Sequence, residues 1–317
     1  MSQSEPAAIE VVNLSHAFGS RWAVRNASFE VHQGALHGFV GPNGAGKTTT
    51  LKSICTLLIP HSGTIRVLGL DVVAQTNEVR RRLGFMPDHF SMYRRMTVFE
   101  YLDFFAAAYG IPMTQRDKVI DEVLTLTDME GRREELVGGL SRGMQQRVAL
   151  SRVLVSDPDV LLLDEPASGL DPRARIELME ILRELKRMGK TIFISSHILS
   201  ELAELCDSVT IIDAGRIKYS GSISGLLKRP TEHAGFRVGV AAGSPDLTER
   251  ISSLPGVLQA TRIDSGNEYR VEMEARPDSG NRLLQGLIGQ GVVVSSFGED
   301  RRHLNEAFMD LTTGGVG

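Results

Sequence analysis

A glycine-rich segment near the start of the chain carries residue types that bind phosphate. It runs from Gly41 to Thr48, reads GPNGAGKT, and fits the pattern G-x-x-x-x-G-K-[ST]. The pattern requires a strand before it and a helix after it, and the flanking sequence predicts both. Glycines let the backbone turn tightly, so that successive N–H groups point inward at phosphate oxygens. The segment therefore predicts a binding site for the phosphates of a nucleotide.

The end of this segment has distinct predicted roles. We expect Lys47 to place its positive charge on the β- and γ-phosphates, and the hydroxyl of Thr48 to ligate Mg²⁺. The helix that starts near Gly46 adds the positive end of its dipole to the same site. The residues predicted to surround the phosphates of ATP are Gly41, Pro42, Asn43, Gly44, Ala45, Gly46, Lys47, Thr48 and Thr49.

Two acidic residues follow a second apolar run. The run Val160–Leu163 is typical of a buried parallel strand, and Asp164 and Glu165 come at its carboxyl end, where ligands bind in such sheets. We expect Asp164 to hold Mg²⁺ through water, and Glu165 to orient or polarise the attacking water. The alternative is a core strand that ends in a solvated acidic turn. A second acid beside the metal-binding acid indicates hydrolysis rather than nucleotide sensing alone.

A third motif, LSRGMQQR at positions 140–147, points to a known family. Ser141 is a natural N-cap for the helix that follows, and Gly143 lets backbone N–H groups approach an anion closely. By itself the motif is typical of any well-capped helix. Its place in the chain, after the glycine-rich segment and before the acidic pair, is the order of ATP-binding cassette (ABC) proteins. Residues 1 to about 220 resemble the ATP-binding subunits of ABC transporters, in particular the ATPases of bacterial multi-subunit exporters.

The resemblance assigns roles to further positions. Phe18 resembles the aromatic residue that stacks on adenine, a task for which only the ring is needed. Asp171, in the sequence SGLDP, resembles the residue that bridges the two sites of a dimer. His197 resembles the switch histidine that contacts the γ-phosphate, and with Glu165 it forms the predicted catalytic pair.

The signature motif of the family corresponds here to LSRGMQQ and closes on the γ-phosphate of ATP held by the opposite subunit. The ATP-binding residues that the resemblance implies in it are Ser141, Gly143 and Gln145. The family usually reads L-S-G-G-Q, whereas this chain has Arg142 and Met144 at two of these positions. Because the phosphate-facing Ser141 and Gly143 are kept, we expect the motif to function.

A second departure from the family concerns the segment GFMPDHF, in which the family usually carries Gln after the proline. This chain has Asp88 there, which is shorter and anionic. We still expect Asp88 to contact ATP, and to contact Mg²⁺ through water, although its carboxylate adds negative charge beside a triphosphate. Similar loops with Asp occur among ATPases of bacterial exporters, so the residue is interpreted as the mark of a subtype.

The first 220 residues alternate β-like runs with helical patterns, which indicates an α/β fold with a mostly parallel sheet covered on both faces. The resemblance makes this a P-loop NTPase cassette with a mixed sheet, in residues 1–220. A mostly helical stretch predicts an inserted helical subdomain at about 88–155. The predicted strands are 9–18, 28–32, 36–40, 63–69, 82–86, 160–164, 191–196 and 208–213, and the predicted helices include 47–58 and 173–189.

Residues 221–317 carry no catalytic motif and predict a separate accessory domain. Their pattern reads β-α-β-β-α-β, a small ferredoxin-like α+β arrangement, followed by a terminal helix. Dimer stability and regulation both stay open as the role of this domain. The predicted strands are 236–242, 258–263, 268–274 and 292–297, and the predicted helices are 246–254, 281–290 and 303–312.

The overall composition excludes several classes of protein. The chain of 317 residues is 42% hydrophobic and 23% charged, and its net charge of -4 gives no reason to expect nucleic acid as a partner. The longest apolar runs fall far short of the roughly 18 residues of a membrane-spanning helix. The first residues lack the pattern of a signal peptide. Cys55 and Cys206 fit no metal or redox spacing, so we expect free thiols in a reducing, cytoplasmic setting.

These features predict an ATP-binding and ATP-hydrolysing subunit of an ABC transporter. The resemblance implies that two such subunits, identical or different, close on two ATP molecules with Mg²⁺ and drive export through a separate integral-membrane subunit. The chain would then lie on the cytoplasmic face of the cell membrane. One alternative is a soluble cassette ATPase that acts on DNA or ribosomes, although no long coiled-coil pattern or second cassette is present. The other is a nucleotide-gated regulator without turnover, which Glu165 argues against.

Aromatic residues are concentrated at positions 85–109, just after the segment with Asp88. One interpretation is a hydrophobic core for the helical subdomain. The other is a docking groove for a short helix of the membrane subunit, since aromatic residues are enriched at interfaces. The candidates for such contacts are Phe90, Tyr93, Arg94 and Arg95.

Overall fold

The computed structural model of the protein describes residues 7–89, 92–197, 202, 205–227, 233–241, 245–263 and 266–300. These residues form two compact units, one reaching to Ile223 and the other starting at Ser224. The predicted boundary after residue 220 lies inside a strand, because strand pairing continues as far as Ser222 with Ser208. The predicted terminal helix 303–312 lies outside the described residues.

The described part of the first unit contains two sheets and a set of helices. Its strands are β1 (Ala7–Phe18), β2 (Arg21–His32), β3 (Leu36–Val40), β4 (Ser62–Val67), β5 (Leu70–Asp71), β6 (Leu83–Met86), β7 (Val160–Asp164), β8 (Thr191–Ser196), β9 (Ser208–Asp213) and β10 (Arg216–Ser222). Its helices are α1 (Lys47–Ile54), α2 (Thr76–Arg82), α3 (Val98–Ala108), α4 (Met113–Leu126), α5 (Arg142–Leu154) and α6 (Pro172–Arg187).

The central sheet is mixed and holds its strands in the order β10-β9-β3-β8-β7-β6. The strands from β9 to β6 are parallel, and β10 is antiparallel to β9. Strands β3, β7 and β8 are buried along their whole length, which explains why their sequences are largely apolar and do not alternate. In-register pairs such as Val40 with Ser196 and Asp164 with Ser195 bring the carboxyl ends of these strands to one edge. The residues that follow the strands therefore meet at this edge.

A second, antiparallel sheet packs against the central one, with its strands in the order β2-β1-β4-β5. One buried apolar cluster includes side chains from both sheets and from α1, among them Val31, Phe39 and Leu51. Burial of a side chain of this size contributes about 1.5–3 kcal/mol to stability. The aromatic ring of Phe29 in β2 lies 5.9 Å from that of Phe193 in β8, which is a direct contact between the two sheets. The core thus fixes the hairpin of β1 and β2 relative to the strands that carry the acidic residues.

The helical subdomain predicted at about 88–155 contains α3, α4 and α5, separated by turns. Thr97 and Glu100 form a capping box at the start of α3, in which each side chain accepts a hydrogen bond from the other's backbone N–H. Side chains of Ser141 and Asp171 cap α5 and α6, and Pro172 occupies the first turn of α6. Within the part of the chain that the structure describes, no helix is both long and apolar enough to cross a lipid bilayer.

Helix α1 is shorter than the predicted helix 47–58. It ends at Ile54 because Thr56 adopts a left-handed φ of 65°, and the N–H groups of Leu57 and Leu58 both donate to the carbonyl of Lys52. Strand β10 and helix α2 were not predicted. Strand β10 is a partly exposed edge strand without a continuous apolar run, and α2 is seven residues long, so neither has a strong hydrophobic pattern.

The second unit consists of a sheet with helices. A short helix, α7 (Ile223–Leu227), spans the boundary in sequence. The strands of the sheet lie in the order β12-β13-β11-β14, and all paired neighbours are antiparallel. Its buried cluster includes Val238, Tyr269 and Leu283. The elements after α7 are β11 (His233–Val240), α8 (Thr248–Ser252), β12 (Val257–Ile263), β13 (Glu268–Glu274), α9 (Ser279–Gly289) and β14 (Val294–Glu299).

The two cysteines are free thiols. Burial raises the pKa of Cys55 to about 11, and it also raises the pKa of Cys206. The thiolate is the reactive form of cysteine, so both residues are poor nucleophiles at neutral pH. They act as small apolar side chains of the fold.

Candidate active site

The glycine-rich segment forms the turn between β3 and α1. Gly46, which precedes the first residue of α1, has a left-handed φ of 110°. A methyl group added to Gly46 would lie 2.5 Å from the carbonyl oxygen of Ala23. Both the backbone conformation and the close approach therefore require glycine at this position.

The side chain of Lys47 is folded back over this turn and is only 7% exposed. Its Nζ donates a hydrogen bond of 2.7 Å to the carbonyl of Gly41, and it lies 3.4 Å from Oε1 of Glu165. The ammonium group is thus held between a backbone carbonyl and a carboxylate at the carboxyl edge of the sheet. This is the position from which it can interact with phosphates bound by the turn.

The carboxylate of Asp164, at the end of β7, is 3% exposed and connects three elements. Its Oδ2 accepts a hydrogen bond of 3.0 Å from Oγ1 of Thr48 in α1. Its Oδ1 accepts a hydrogen bond of 2.5 Å from Oγ of Ser195 in β8. Two of the three predicted metal-binding residues, Thr48 and Asp164, are therefore in direct contact.

Glu165 lies between a cation and a histidine. Its Oε1 pairs with Lys47, and its Oε2 is 2.7 Å from Nδ1 of His197, which is half exposed. The backbone of Glu165 has a left-handed φ of 50°, a conformation that costs about 1–2 kcal/mol for a residue with a side chain. Its N–H donates to Oγ and to the carbonyl of Ser195, at 3.0 and 3.2 Å, which holds the strained turn in place.

Ser195 is a site residue that the sequence did not indicate. Its hydroxyl contacts both Asp164 and Glu165, so it sets the position of both predicted acids. The only available signal was its place in the run TIFISS, two residues before His197. The pairing of Ser195 with Asp164 depends on the register of β7 and β8, and sequence alone does not give a register.

A cavity of about 400 Å³ lies in front of these groups. The predicted residues that line it are Phe18, Asn43, Gly44, Gly46, Lys47, Thr48, Thr49, Asp88, Asp164 and Glu165. Arg21, Trp22 and Ala23, at the start of β2, also line it and were not predicted. Gly41, Pro42 and Ala45 do not line it, although Lys47 contacts the carbonyls of Gly41 and Pro42.

The tip of the hairpin of β1 and β2 places two aromatic rings on this cavity. Phe18 is 59% exposed and Trp22 is 45% exposed, and cross-strand pairing sets Phe18 opposite Arg21 and Ala17 opposite Trp22. The ring of His16 contacts that of Phe18 edge to face, at 4.8 Å between centroids. Exposed rings on a cavity wall are suited to stacking on a nucleotide base.

Asp88 reaches the same edge of the sheet from β6. Strand β6 is parallel to β7, with Met86 opposite Leu163, so the residue two positions after the strand arrives beside the acidic pair. The side chain of Asp88 lines the cavity, is 35% exposed, and lies 3.6 Å from Nε2 of His89. The predicted Phe90 lies outside the described residues.

Ser141, Gly143, Gln145 and Asp171 do not line this cavity. Ser141 Oγ accepts from the N–H of Met144, and Gln145 Nε2 donates to the carbonyl oxygens of Val137 and Leu140. The side chains of Ser141 and Gln145 therefore make contacts within the start of α5 and the turn that precedes it.

The starts of α5 and α6 lie against each other. A methyl group added to Gly143 would lie 2.7 Å from Cβ of Ala174, so the two helices approach more closely than a side chain at this position allows. Asp171 Oδ1 accepts a hydrogen bond of 2.9 Å from the N–H of Ala174. Ser141, Gly143, Gln145 and Asp171 thus form a second, separate group at the adjacent starts of two helices.

Strand β3, which leads into the glycine-rich turn, contains a fully buried histidine. Nδ1 of His37 is 2.7 Å from Oγ of Ser208, and its Nε2 is 2.9 Å from Oγ1 of Thr210. Burial, with a smaller effect of His32, lowers the pKa of His37 to about 3. The ring is therefore neutral near pH 7 and joins β3 to β9 through hydrogen bonds.

A family model for ABC transporters matches residues 24–168 of the chain. The Nod factor export ATP-binding protein I of Burkholderia lata is 39% identical over 222 residues, which is 70% of this chain and 73% of that protein. The ABC transporter ATP-binding protein NatA of Bacillus subtilis is 41% identical over 205 residues, or 64% of this chain and 83% of NatA. The uncharacterized ABC transporter ATP-binding protein YxlF of Bacillus subtilis is 32% identical over 308 residues and aligns with 96% of this chain and 99% of YxlF.

Solved structures give the same picture. A solved ATP-binding subunit of an ABC transporter aligns with a TM-score of 0.63 at 31% identity, covering 69% of this chain and 91% of that one. The cbiO1 protein of Clostridium perfringens, part of the ABC transporter complex cbiONQ, aligns with a TM-score of 0.63 at 28% identity, covering 69% of this chain and 89% of that one.

Proposed function

We propose which residues and which assembly couple ATP hydrolysis to export in this chain. The chain belongs to the ATP-binding proteins of ABC transporters and is an ATPase subunit of this family. The observation that carries the proposal is the convergence of Lys47, Asp164, Glu165 and His197 on one edge of the central sheet. The relatives named above are transporter subunits, and they give no support to an action on DNA or ribosomes.

ATP occupies the cavity with its base against the hairpin tip and its phosphates on the glycine-rich turn. Phe18 stacks on adenine, and the N–H groups of the turn with Lys47 bind the β- and γ-phosphates. Glu165 orients the attacking water and accepts its proton, while His197 stabilises Glu165 and reaches toward the γ-phosphate. The support for these roles is the short contact of Glu165 with both Lys47 and His197.

Mg²⁺ is the metal that suits the oxygen groups at this edge. Thr48 Oγ1 and Asp164 Oδ2 are 3.0 Å apart, and Asp88 adds a carboxylate to the cavity wall. Magnesium prefers a few hard oxygen ligands together with water and substrate phosphates, which fits this set. When bound, it would neutralise charge on the phosphates. Thr48 would ligate it directly, and Asp164 and Asp88 would hold it through water.

A second ATP-binding subunit, identical or related, completes the site. Ser141, Gly143, Gln145 and Asp171 do not line the cavity of their own chain, yet they present two helix N-termini that suit an anion. In the proposed assembly these four residues close on the ATP held by the partner. Each ATP then lies between the cavity of one chain and the two helix N-termini of the other. Closure of the two subunits transmits the work of ATP binding.

An integral-membrane subunit binds a groove between α2, α4 and the ends of α3, α5 and α6. The groove has a volume of about 1130 Å³, an apolar floor that includes Ile111 and Leu154, and a basic side formed by Arg80 and Arg81. Tyr109 lines it and is 50% exposed. Such a groove fits a short helix of the membrane subunit with an apolar face and acidic flanks, and this places the chain on the cytoplasmic face of the membrane.

The aromatic residues at 85–109 differ in exposure, and none of the predicted docking candidates Tyr93, Arg94 and Arg95 lines the groove. Tyr101 is 1% exposed and belongs to the core, whereas Tyr93 and Phe104 are about half exposed and contact each other at 5.7 Å between ring centroids. Tyr109→Glu is expected to abolish co-purification of the membrane subunit while leaving the ATPase activity of the isolated chain unchanged. Met113→Glu is the control, because Met113 is 83% exposed and does not line the groove. Retained co-purification with Tyr109→Glu would remove the groove from this role.

Residues 221–317 form an accessory domain of ferredoxin-like type. The support is the β-α-β-β-α-β order of β11 to β14 with α8 and α9, and a sheet in the order β12-β13-β11-β14.

The decisive experiment replaces the proposed catalytic base. Glu165→Gln is expected to reduce ATP turnover at least about 100-fold and to accumulate an ATP-bound dimer on size exclusion. The control is Glu180→Gln, an exposed position on α6 of the same charge, which should leave turnover and oligomeric state unchanged. Full turnover by a monomeric Glu165→Gln protein would remove Glu165 from its proposed role.

A further inference from the structure

We propose that Arg21, at the tip of the hairpin of β1 and β2, is a second cationic residue that binds the polyphosphate chain of the nucleotide. The inference rests on the proposed occupation of the cavity by ATP and adds to it a residue outside the glycine-rich turn. It names the feature of the ligand that Arg21 recognises, which is the phosphate chain rather than the base.

The hairpin holds Arg21 at the wall of the cavity. Arg21 is the first residue of β2 and pairs with Phe18 across a turn that contains Gly19 and Ser20. Phe18 and Arg21 both line the cavity. Cross-strand partners project from the same face of a hairpin, so a base stacked on Phe18 lies beside the guanidinium group.

The guanidinium also lies close to the glycine-rich turn. A methyl group added to Gly44 would lie 4.0 Å from Nη2 of Arg21, and Asn43 and Gly44 line the cavity at this point. A group that reaches the phosphate-binding turn from the hairpin spans the space between base and phosphates. Arg21 is thus placed where the phosphate chain joins the nucleoside.

Arg21 has donors that are not used by acidic groups of the described chain. Among the described residues, no carboxylate forms an ion pair with Arg21. A guanidinium carries five N–H donors and no acceptor, and its planar fork matches two oxygens of a phosphate. Lys47, by comparison, already contacts Glu165 and the carbonyl of Gly41.

The balance of charge in the cavity gives Arg21 a specific task. The carboxylates that line it are Asp88, Asp164 and Glu165, and the cations are Lys47 and Arg21. Asp88 stands where the family usually has a neutral Gln, so this chain carries one more negative charge beside a triphosphate. Like charges at such a site weaken the binding of an anion, and a nearby cation offsets them. Arg21 supplies that cation.

The test compares nucleotides with and without phosphates on variants of the whole chain. Affinities for ATP and for adenosine are measured by calorimetry, with the fluorescence of Trp22, the chain's single tryptophan, as a second readout at the cavity. Arg21→Gln is expected to weaken ATP binding at least about tenfold and to leave adenosine binding within about twofold, because only the charged hydrogen bonds to phosphate are lost. Arg21→Lys should keep part of the ATP affinity, since its charge remains.

The matched control is Arg66→Gln, which removes the same charge from β4 in the same sheet but outside the cavity. Unchanged ATP affinity in Arg21→Gln, an equal loss of ATP and adenosine, or an equal loss in Arg66→Gln would each overturn the proposal. Lys47→Ala in the same assay separates this outcome from a failure of the proposed function. Undiminished ATP binding by Lys47→Ala would mean that the cavity is not the ATP site at all.

Discussion

Two groups of predicted nucleotide-binding residues in the first unit differ in how they are held. The cavity group comprises Phe18, the glycine-rich turn, Asp88, Asp164, Glu165 and His197. Within it, direct side-chain contacts between different elements join Thr48 to Asp164, Lys47 to Glu165, and Glu165 to His197. In the signature group, which comprises Ser141, Gly143, Gln145 and Asp171, the side chains bind backbone groups near their own helix ends.

This difference distinguishes residues proposed to bind the nucleotide within one chain from residues proposed to act when two subunits associate. Most residues of the cavity group line a space within one chain, which in the proposed assignment holds one nucleotide. The signature group does not line that space and lies at two helix N-termini that are packed against each other. Changes to the cavity group should therefore alter ATP binding by the isolated chain, and changes to the signature group should alter only events that need a second subunit.

The largest effect is expected from Lys47→Ala in the cavity group. Loss of the ammonium group should weaken ATP binding at least about 100-fold, since each hydrogen bond to a charged group contributes about 1.5–3 kcal/mol. Calorimetry with ATP measures the change. Lys52→Ala, on the exposed side of the same helix, is the control and should bind ATP normally. Equal affinities of the two variants would contradict the role of Lys47.

Gly143→Ala tests the signature group. The added methyl group would lie 2.7 Å from Cβ of Ala174 and force α5 and α6 apart, a cost of about 1–3 kcal/mol. We expect ATP turnover to fall at least about tenfold while the affinity of the isolated chain for ATP stays within about twofold. Gly139→Ala is the control, because a methyl group there meets no atom within 4 Å. A matching loss of ATP affinity in Gly143→Ala would break the separation between the two groups.

The buried His37 in β3 should make the free energy of unfolding of the first unit depend on pH. Its pKa is about 3 in the folded chain and about 6.5 in the unfolded one, so the unfolded chain binds the extra proton first as pH falls. The contribution of His37 to the free energy of unfolding is present above pH 6.5 and declines by about 1.4 kcal/mol per pH unit between pH 6.5 and 3.

Urea unfolding of the first unit, followed by the fluorescence of Trp22 at several pH values, measures this slope. His37→Gln should unfold with a shallower dependence on pH than the unmodified chain over the same range, because one titrating group is removed. An identical slope in both proteins would show that His37 titrates alike in the folded and unfolded states.

The smallest effect is expected from Asp88→Gln. Removal of a negative charge that is 35% exposed should strengthen ATP binding by about two- to fivefold, since partly exposed charge interactions are worth about 0.2–1 kcal/mol. Glu30→Gln, an exposed acid on β2 outside the cavity, controls for the change in net charge. A loss of affinity in Asp88→Gln would assign Asp88 a larger part in holding the nucleotide than a contact through water.

The parts of the fold that were predictable share one physical cause. Strands β3, β7 and β8 match their predicted bounds because they are buried on both faces and their sequences are short apolar runs with polar ends. Edge strand β10 and the short helix α2 have weak hydrophobic patterns and were missed. The early end of α1 depends on the left-handed Thr56, which no pattern of residue types indicates.

The candidate site was predictable to the extent that its chemistry lies in contiguous motifs. The glycine-rich turn and the pair Asp164 and Glu165 are such motifs, and they do meet in the structure. Ser195 enters through the register of β7 and β8, and Arg21 and Trp22 enter through the register of the hairpin of β1 and β2, which sets them opposite Phe18 and Ala17. Residue type and spacing carry no information about that register.

The contact between Glu165 and His197 uses one side of an imidazole ring. An ionised carboxylate only accepts hydrogen bonds, so Nδ1 of His197 is the donor in its 2.7 Å contact with Oε2 of an ionised Glu165. The other ring nitrogen, Nε2, lies on the opposite side of the ring. One flat side chain at the end of β8 can therefore connect the carboxylate of Glu165 to a second group without moving away from it.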